Sequence, residues 1–276
     1  MNKIIIQLIC PDQRGIIAQL TSCLYKSNAN ILSIEQHVDN KSEKFYIRIE
    51  SDLNELNCNI EDLEKELKNI NSDLLGTINL YNPEKKLNVA IFCSNETEPV
   101  YDLLIKNKSN NLNCIFPIII SNHNKLKTIA EQFNVEYAVV GNNDEMLKIL
   151  DDKKIDLIVL ARYMQILPEN IIRAYENKII NIHHSFLPAF KGANPYGQAA
   201  TKGVKLIGAT AHYVTNELDE GPIITQDTEP VTHHYSINEM VESGRDIERR
   251  VLIEAVKAQI ERRIILHGKR TIIFHG

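Results

Sequence analysis

Hydrophobic positions near the start of the chain recur with two periods that alternate. "KIIIQLI" (residues 3–9) is an apolar run of strand length, and "GIIAQLTSCLYKS" sets Ile16, Ile17, Leu20 and Leu24 on one helical face. "ANILSIEQHV" and "KFYIRIE" alternate apolar with polar, Phe45, Ile47 and Ile49 facing one way, with "DNKSEK" as the hairpin between them. "NIEDLEKELKNI" spaces Ile60, Leu63, Leu67 and Ile70 as a helix, and "LLGTINLYN" closes with a strand. The order β-α-β-β-α-β predicts four antiparallel strands covered by two helices, a ferredoxin-like α+β domain.

The pattern then changes. In "LYNPEKKLNVAIF", Pro83 and the charged residues after it form a polar bridge, which sets the expected domains at 1–83 and 84–276. Beyond it, "LNVAIFCS", "NCIFPIII", "VEYAVV", "DLIVLA" and "KIINIH" are continuous apolar runs, as expected of parallel strands buried on both faces. Polar helical stretches such as "KLKTIAEQF" and "NDEMLKIL" separate them. The expectation is α/β: a doubly wound, mostly parallel sheet, extended by antiparallel strands at "KLIGATAHYV" and "PIITQ". A long helix follows in "SINEMVESGRDIERRVLIEAVKAQI".

Composition narrows the functional classes. The 276 residues are 43% hydrophobic and 24% charged, ordinary for a globular protein. No apolar run approaches the roughly 18 residues of a membrane span. The first apolar stretch breaks at Pro11 and Asp12 without a small-residue cleavage site, so a strand is expected there rather than a signal peptide. Cys10, Cys23, Cys58, Cys93 and Cys114 are odd in number and never spaced as CxxC, which points to reduced thiols and a cytoplasmic location. The 31 Lys and Arg against 36 Asp and Glu leave no basic excess in either half, so nucleic acid is not an expected partner.

Candidate chemistry concentrates in "NIHHSFLPAFKGANP", residues 181–195. In an open sheet, ligands bind beyond the carboxyl ends of the strands, and "KIINIH" ends here. Asn181 and His183, two apart on a strand, point to one side, and His184 points to the other. A metal would need three or four converging ligands; His183, His184, His212 and Asp219 could be recruited, but neither HExxH nor a Cys/His pair is present, and no metal is expected. Ser185 lacks the GxSxG elbow of a nucleophile. For His184 and His212, satisfying hydrogen bonds in the core is the alternative reading.

Two resemblances attach to these stretches. "CPDQRGIIAQL" resembles the ACT-domain signature, which makes Asp12 and Gly15 candidate effector-binding residues; a cap at Asp12 and a packing glycine are the alternative. "NIHHSFLPAFKGANPYGQA", then "GVKLIGATAHYV" and "LDEGPIITQ", resemble the folate-dependent formyltransferases. With the ACT-like stretch in front, and "GRDIERRVL" and "GKRTIIF" behind, the resemblance is to the formyltetrahydrofolate deformylase branch. It implies hydrolysis of 10-formyltetrahydrofolate, without a cofactor, by Asn181, His183 and Asp219. It also implies a pterin pocket along Met164, Gln165, Ile166 and Leu167, although spacing alone would make Met164 and Leu167 plain core. Gly221 would let the loop after Asp219 approach the ligand, and a plain turn glycine explains it equally well. Further implications are a homo-oligomer through the ACT domains and an amino-acid effector, glycine or methionine.

The residue types suit that chemistry. Asn181 can donate to an oxyanion, His183 can move protons near neutral pH, and Asp219 can orient a histidine or position water. The acceptor separates the branches. Phosphoribosylglycinamide formyltransferases, the alternative reading, carry a glycine-rich phosphate turn after the first strand. Here the turn reads "IFCSNETEPVYDLL", without glycine or cation and with Glu96 and Glu98, which favours water. The methionyl-tRNA formyltransferases would need a basic surface. A noncatalytic amino-acid sensor would have no use for Asn181, His183 and Asp219 together.

Overall fold

β1 (Lys3–Pro11) is central, paired antiparallel with a strand on each side, and lacks alternation because both faces of the sheet are covered here. The first unit of the structure, a computed structural model that describes residues 2–189 and 195–275, is built around it. The chain continues through α1 (Ile16–Lys26), β2 (Asn30–Asp39), β3 (Lys44–Asp52), α2 (Ile60–Asp73) and β4 (Thr77–Tyr81), with strand order β2-β3-β1-β4. Ile4, Ile6 and Leu8 of β1 and Phe45, Ile47 and Ile49 of β3 are buried against Leu20 and Leu24 of α1 and Leu63 and Leu67 of α2. Each such side chain contributes roughly 1.5–3 kcal/mol. Ile17, expected on the same face of α1, is instead 39% exposed, and Cys23 takes the inward position.

Asp12 does not cap α1. Gly15 stands at the N-cap with φ of 89°, a left-handed conformation that favours glycine, and no side chain caps the helix. α2 has a conventional cap, Asn59 accepting a bond from the Asp62 amide at 2.8 Å.

The other face of this sheet is covered from the far end of the sequence. Tyr46, Ile265 and Phe274 form a second buried cluster, with Ile9 and Ile272 packed against it. The Gln7 amide donates to the Arg262 carbonyl at 2.8 Å, and the Arg48 guanidinium to the Glu261 and Arg262 carbonyls, both at 3.1 Å. His267 bridges the Tyr46 hydroxyl through Nδ1 and the Asp39 carboxylate through Nε2, the latter at 2.7 Å. The division expected at residue 84 gave this stretch to the second domain. In the structure Glu261–His267 and the residues from Ile272 on group with the chain up to Lys85, while Lys86–Ile260 and Gly268–Thr271 form the second unit. The physical reason is the apolar and polar cover they supply to the outer sheet face.

The second unit runs β5 (Leu87–Cys93), α3 (Glu98–Lys108), β6 (Cys114–Ser121), α4 (Lys127–Gln132), β7 (Glu136–Val139), α5 (Asn143–Asp152), β8 (Leu157–Ala161), α6 (Glu169–Ala174), β9 (Ile179–His183), α7 (Pro195–Lys202), β10 (Leu206–Tyr213), β11 (Ile223–Pro230) and α8 (Ile237–Ile260). The final hairpin is β12 (Ile264–His267) with β13 (Arg270–Ile273). The seven-stranded sheet has the order β11-β10-β9-β8-β5-β6-β7. β9 through β7 are parallel, and β10 and β11 are added antiparallel. Pro117, which has no N–H to donate, sits in β6 where the register with β5 shifts between Asn88 and Ala90. α8 starts with a capping box, the Ser236 hydroxyl receiving the Glu239 amide at 3.2 Å and the Glu239 carboxylate receiving the Ser236 amide at 2.8 Å. Neighbouring strands β5 and β8 lead off to opposite sides, to β6 and β9, which puts the sheet's switch point between them.

Leu67 is wholly buried in the first unit's core. Leu67→Ala should lower the stability of the full chain by about 2–5 kcal/mol in urea unfolding, and a loss below about 1 kcal/mol would mean that this core collapses around the gap.

Candidate active site

β9 ends the parallel part of the sheet, and its last turn meets β10 in a fixed antiparallel register. His212 stands opposite Asn181, and Thr210 opposite His183. Cross-strand partners share a face, so the pleat that aligns Asn181 with His183 also brings in His212. The Asn181 amide lies 3.2 Å from His212 Nε2. Thr210 ties down the chain after β9: its hydroxyl donates to the Ser185 carbonyl at 2.8 Å and accepts from the Leu187 amide at 3.0 Å. The Ser185 hydroxyl is itself spent on the Ala189 carbonyl at 2.8 Å. His184 faces away from Asn181, against the Tyr196 ring at 5.9 Å between centroids. Residues 190–194 of the "NIHHSFLPAFKGANP" stretch lie outside the described residues.

Asp219 joins from the loop between β10 and β11. One carboxylate oxygen is 3.3 Å from His183 Nδ1 and the other 3.7 Å from His212 Nε2. The residue has φ of 56°, which aspartate tolerates better than most side chains. His212 Nδ1 lies 2.9 Å from the Tyr213 carbonyl, so that nitrogen carries the hydrogen. In the neutral ring Nε2 is then an acceptor and takes a bond from Asn181; only the doubly protonated ring can also donate to Asp219. The Asp219 carboxyl is held below its ordinary 3.8, first by the His212 ring that faces it, then by the charges of His183, His212 and His184, with burial opposing.

A cavity of about 520 Å³ opens beside these groups, within the usual range for a small-molecule site. Asn181, His212 and Asp219 line it, with Leu160, Tyr163 and the loop from Val214 to Leu218. His183 is buried behind Asp219 and is not among the lining residues. Of the loop after β8, Gln165, Ile166 and Leu167 line the cavity. Leu167 also packs in the sheet's core, whereas Ile166 is largely exposed. Met164 does not line it; its side chain points to solvent while its backbone N–H donates to the Ser94 hydroxyl at 3.0 Å.

Gly221 does not line the cavity either. A Cβ there would stand 1.7 Å from the Tyr213 carbonyl oxygen, so what it approaches is backbone rather than a ligand. The Tyr213 N–H meanwhile donates to the Pro222 carbonyl at 2.9 Å. This contact closes the loop that carries Asp219 onto the carbonyl that orients His212. Asp12 and Gly15 are exposed residues of the first unit's β1–α1 turn and are not part of this cavity.

A formyl transferase family model matches residues 87–256, and an ACT domain model matches residues 4–72. A formyltetrahydrofolate deformylase from Synechocystis is 40% identical over 273 residues, covering 96% of both chains. A crystal structure of a formyltetrahydrofolate deformylase from Pseudomonas syringae superposes with a TM-score of 0.96 at 37% identity, covering 100% of this chain and 95% of that one. The chain belongs to the formyltetrahydrofolate deformylase family. A phosphoribosylglycinamide formyltransferase from Anaplasma phagocytophilum also superposes, at 31% identity and a TM-score of 0.65, but over 69% of this chain and 96% of that one. Deformylase relatives thus extend over the ACT domain as well as the formyl transferase domain.

His212 is a residue of this candidate site whose role the sequence of the deformylase-family chain leaves open. Its signal was the alternation in "GATAHYV", which sets His212 and Thr210 on one face but does not say which strand they meet. Ser94 and Tyr163, which hold the loop after β8 through the Met164 amide and the Phe92 ring, carried no motif at all.

Because Asp219 is depressed only in the folded state, the unfolded chain takes up its proton first as pH falls. Its ionised carboxylate therefore contributes stability above the ordinary carboxylate range, and this is lost as pH drops from 3.8 through its lower native value. Urea unfolding of the wild type and of Asp219→Asn should give a stability difference that shrinks with falling pH in that window. A flat difference would mean that Asp219 has the same affinity for protons in both states.

Proposed function

We propose that Asn181, His183 and Asp219 carry the hydrolysis of the formyl group of 10-formyltetrahydrofolate, with water as acceptor and formate and tetrahydrofolate as products. The observation that supports these roles is the convergence of Asn181, His212 and Asp219 on one cavity, with His183 3.3 Å from the Asp219 carboxylate. Water attacks the formyl carbon and loses a proton to the Asp219–His183 pair. The oxyanion is held by the Asn181 N–H that is not given to His212, a donor of the kind worth about 10²–10³ in rate. Collapse returns the proton to N10, which leaves as the amine of tetrahydrofolate. His212 acts on position: its Nε2 fixes the asparagine amide.

The pterin is assigned to the apolar part of the cavity, along Gln165, Ile166 and Leu167, with Tyr163 at the wall. The step needs no electron transfer, and the groups named supply each proton it moves, so no cofactor is proposed. The cytoplasm is the compartment proposed: all five thiols are free, and burial raises Cys10 to about 11 and Cys93 and Cys114 to about 12, which keeps them unreactive. No described helix is long and apolar enough to cross a membrane.

Purified protein with 10-formyltetrahydrofolate and no amine acceptor should release formate. His183→Ala should lose about 10²–10⁴ of that rate, the usual worth of a proton-transfer group, whereas His184→Ala, on the opposite side of the strand end, should lose much less. Equal losses from both would overturn the assignment.

The ACT domain is the proposed seat of regulation, with Gly15 and Asp12 at the turn that receives an amino acid, glycine or methionine, between ACT domains of a homo-oligomer. Calorimetry should detect one of the two binding, with a matching change in formate release. Heat and rate both indifferent to either amino acid would end this proposal.

A further inference from the structure

The switch point between β5 and β8 is where an open α/β sheet ordinarily accepts an anion, and α3 starts beside it. Three resources could hold a phosphate there: the first amides of α3, the hydroxyl at the end of β5, and nearby cations. Each is already used. Glu98 opens α3, and its carboxyl is held below its ordinary value chiefly by its own backbone N–H, with the Thr97 hydroxyl donating at 3.2 Å. Pro99 then removes the next amide as a donor. The Ser94 hydroxyl donates to Asn122 at 2.9 Å and accepts the Met164 amide at 3.0 Å.

Cations absent from the turn itself do reach it from elsewhere. Arg245 and Arg249 come from α8, and Arg162 from the chain after β8. Arg245 lies 3.4 Å from Glu96, Arg162 lies 3.4 Å from Glu248, and Arg249 is paired with Asp102. Glu248 also receives the Tyr196 hydroxyl at 3.0 Å. The recess that remains holds about 10 Å³, barely the room one water needs.

We propose that Glu96 and Glu98 are acceptor-specificity residues: as built-in anions they fill the site that a phosphorylated amine would need, and so reserve the formyl group for water. The inference rests on the deformylase reading and explains its choice of acceptor. Here the carboxylates and arginines cancel one another within the chain.

The test uses inorganic phosphate as the probe and the full chain throughout. Calorimetry on the wild type, Glu96→Gln and Glu98→Gln is the comparison, with circular dichroism to confirm that each variant is folded. Both glutamates are partly exposed, so either variant alone suffices if the other fails to fold. Phosphate should bind at least about tenfold more tightly to the variant than to the wild type, a difference of about 1.4 kcal/mol. Adding Arg245→Ala to Glu96→Gln should abolish the gain. Equal phosphate binding by the wild type and the folded variant, or a gain that survives loss of Arg245, would overturn the proposal. Formate release by the same wild-type sample is scored separately. Its absence would reject the deformylase reading, whereas the phosphate comparison alone decides the fate of the crevice.

Discussion

One carboxylate between two imidazoles holds the site together. Asp219 meets His183 with one oxygen and faces His212 with the other, and it reaches them from a loop rather than from the sheet. Its position depends on a backbone contact that admits no Cβ, Gly221 against the Tyr213 carbonyl. That carbonyl also selects the tautomer of His212, which in turn sets the direction of the Asn181 amide. A single turn of irregular chain therefore governs the orientation of three polar side chains, two of them fixed to the sheet. Moving that turn by an ångström would misalign all three together.

Much of the fold is legible in the sequence, for a simple reason. Periodicity reports which faces are covered, so Phe45, Ile47 and Ile49, or Leu63 and Leu67, declare their inward direction locally. The unalternating "KIIIQLI" declares only that both faces are covered, not by what, and the second cover comes from residues more than two hundred positions later. "GKRTIIF" is too short for its period to be read, and the grouping of Ile265, Phe274 and Tyr46 is a long-range fact that no local pattern carries.

The site divides in the same way. Asn181 and His183 could be paired by strand parity alone, because both sit on one strand end. His212 and Asp219 come from other elements, and only the register of β10 on β9 brings His212 opposite Asn181. Resemblance supplied Asp219 and the loop after β8, and within that loop the structure separates lining residues, Gln165 to Leu167, from Met164, whose backbone is the useful part. The arginines near the β5 turn were illegible because they lie on α8 and after β8, far from the glutamates they neutralise.

The discontinuity of the first unit has a bearing on biosynthesis. Its core strands are translated early, but the C-terminal segment that shields Gln7, Arg48 and Tyr46 is translated only after Lys86–Ile260 of the second unit. As the chain emerges from a ribosome, the outer face of that sheet therefore waits uncovered while residues 86–260 are synthesised, a long exposure at ordinary elongation rates. Completion of the ACT unit is thus timed by synthesis of the formyl transferase unit, because the chain that closes the first sheet is made only after it.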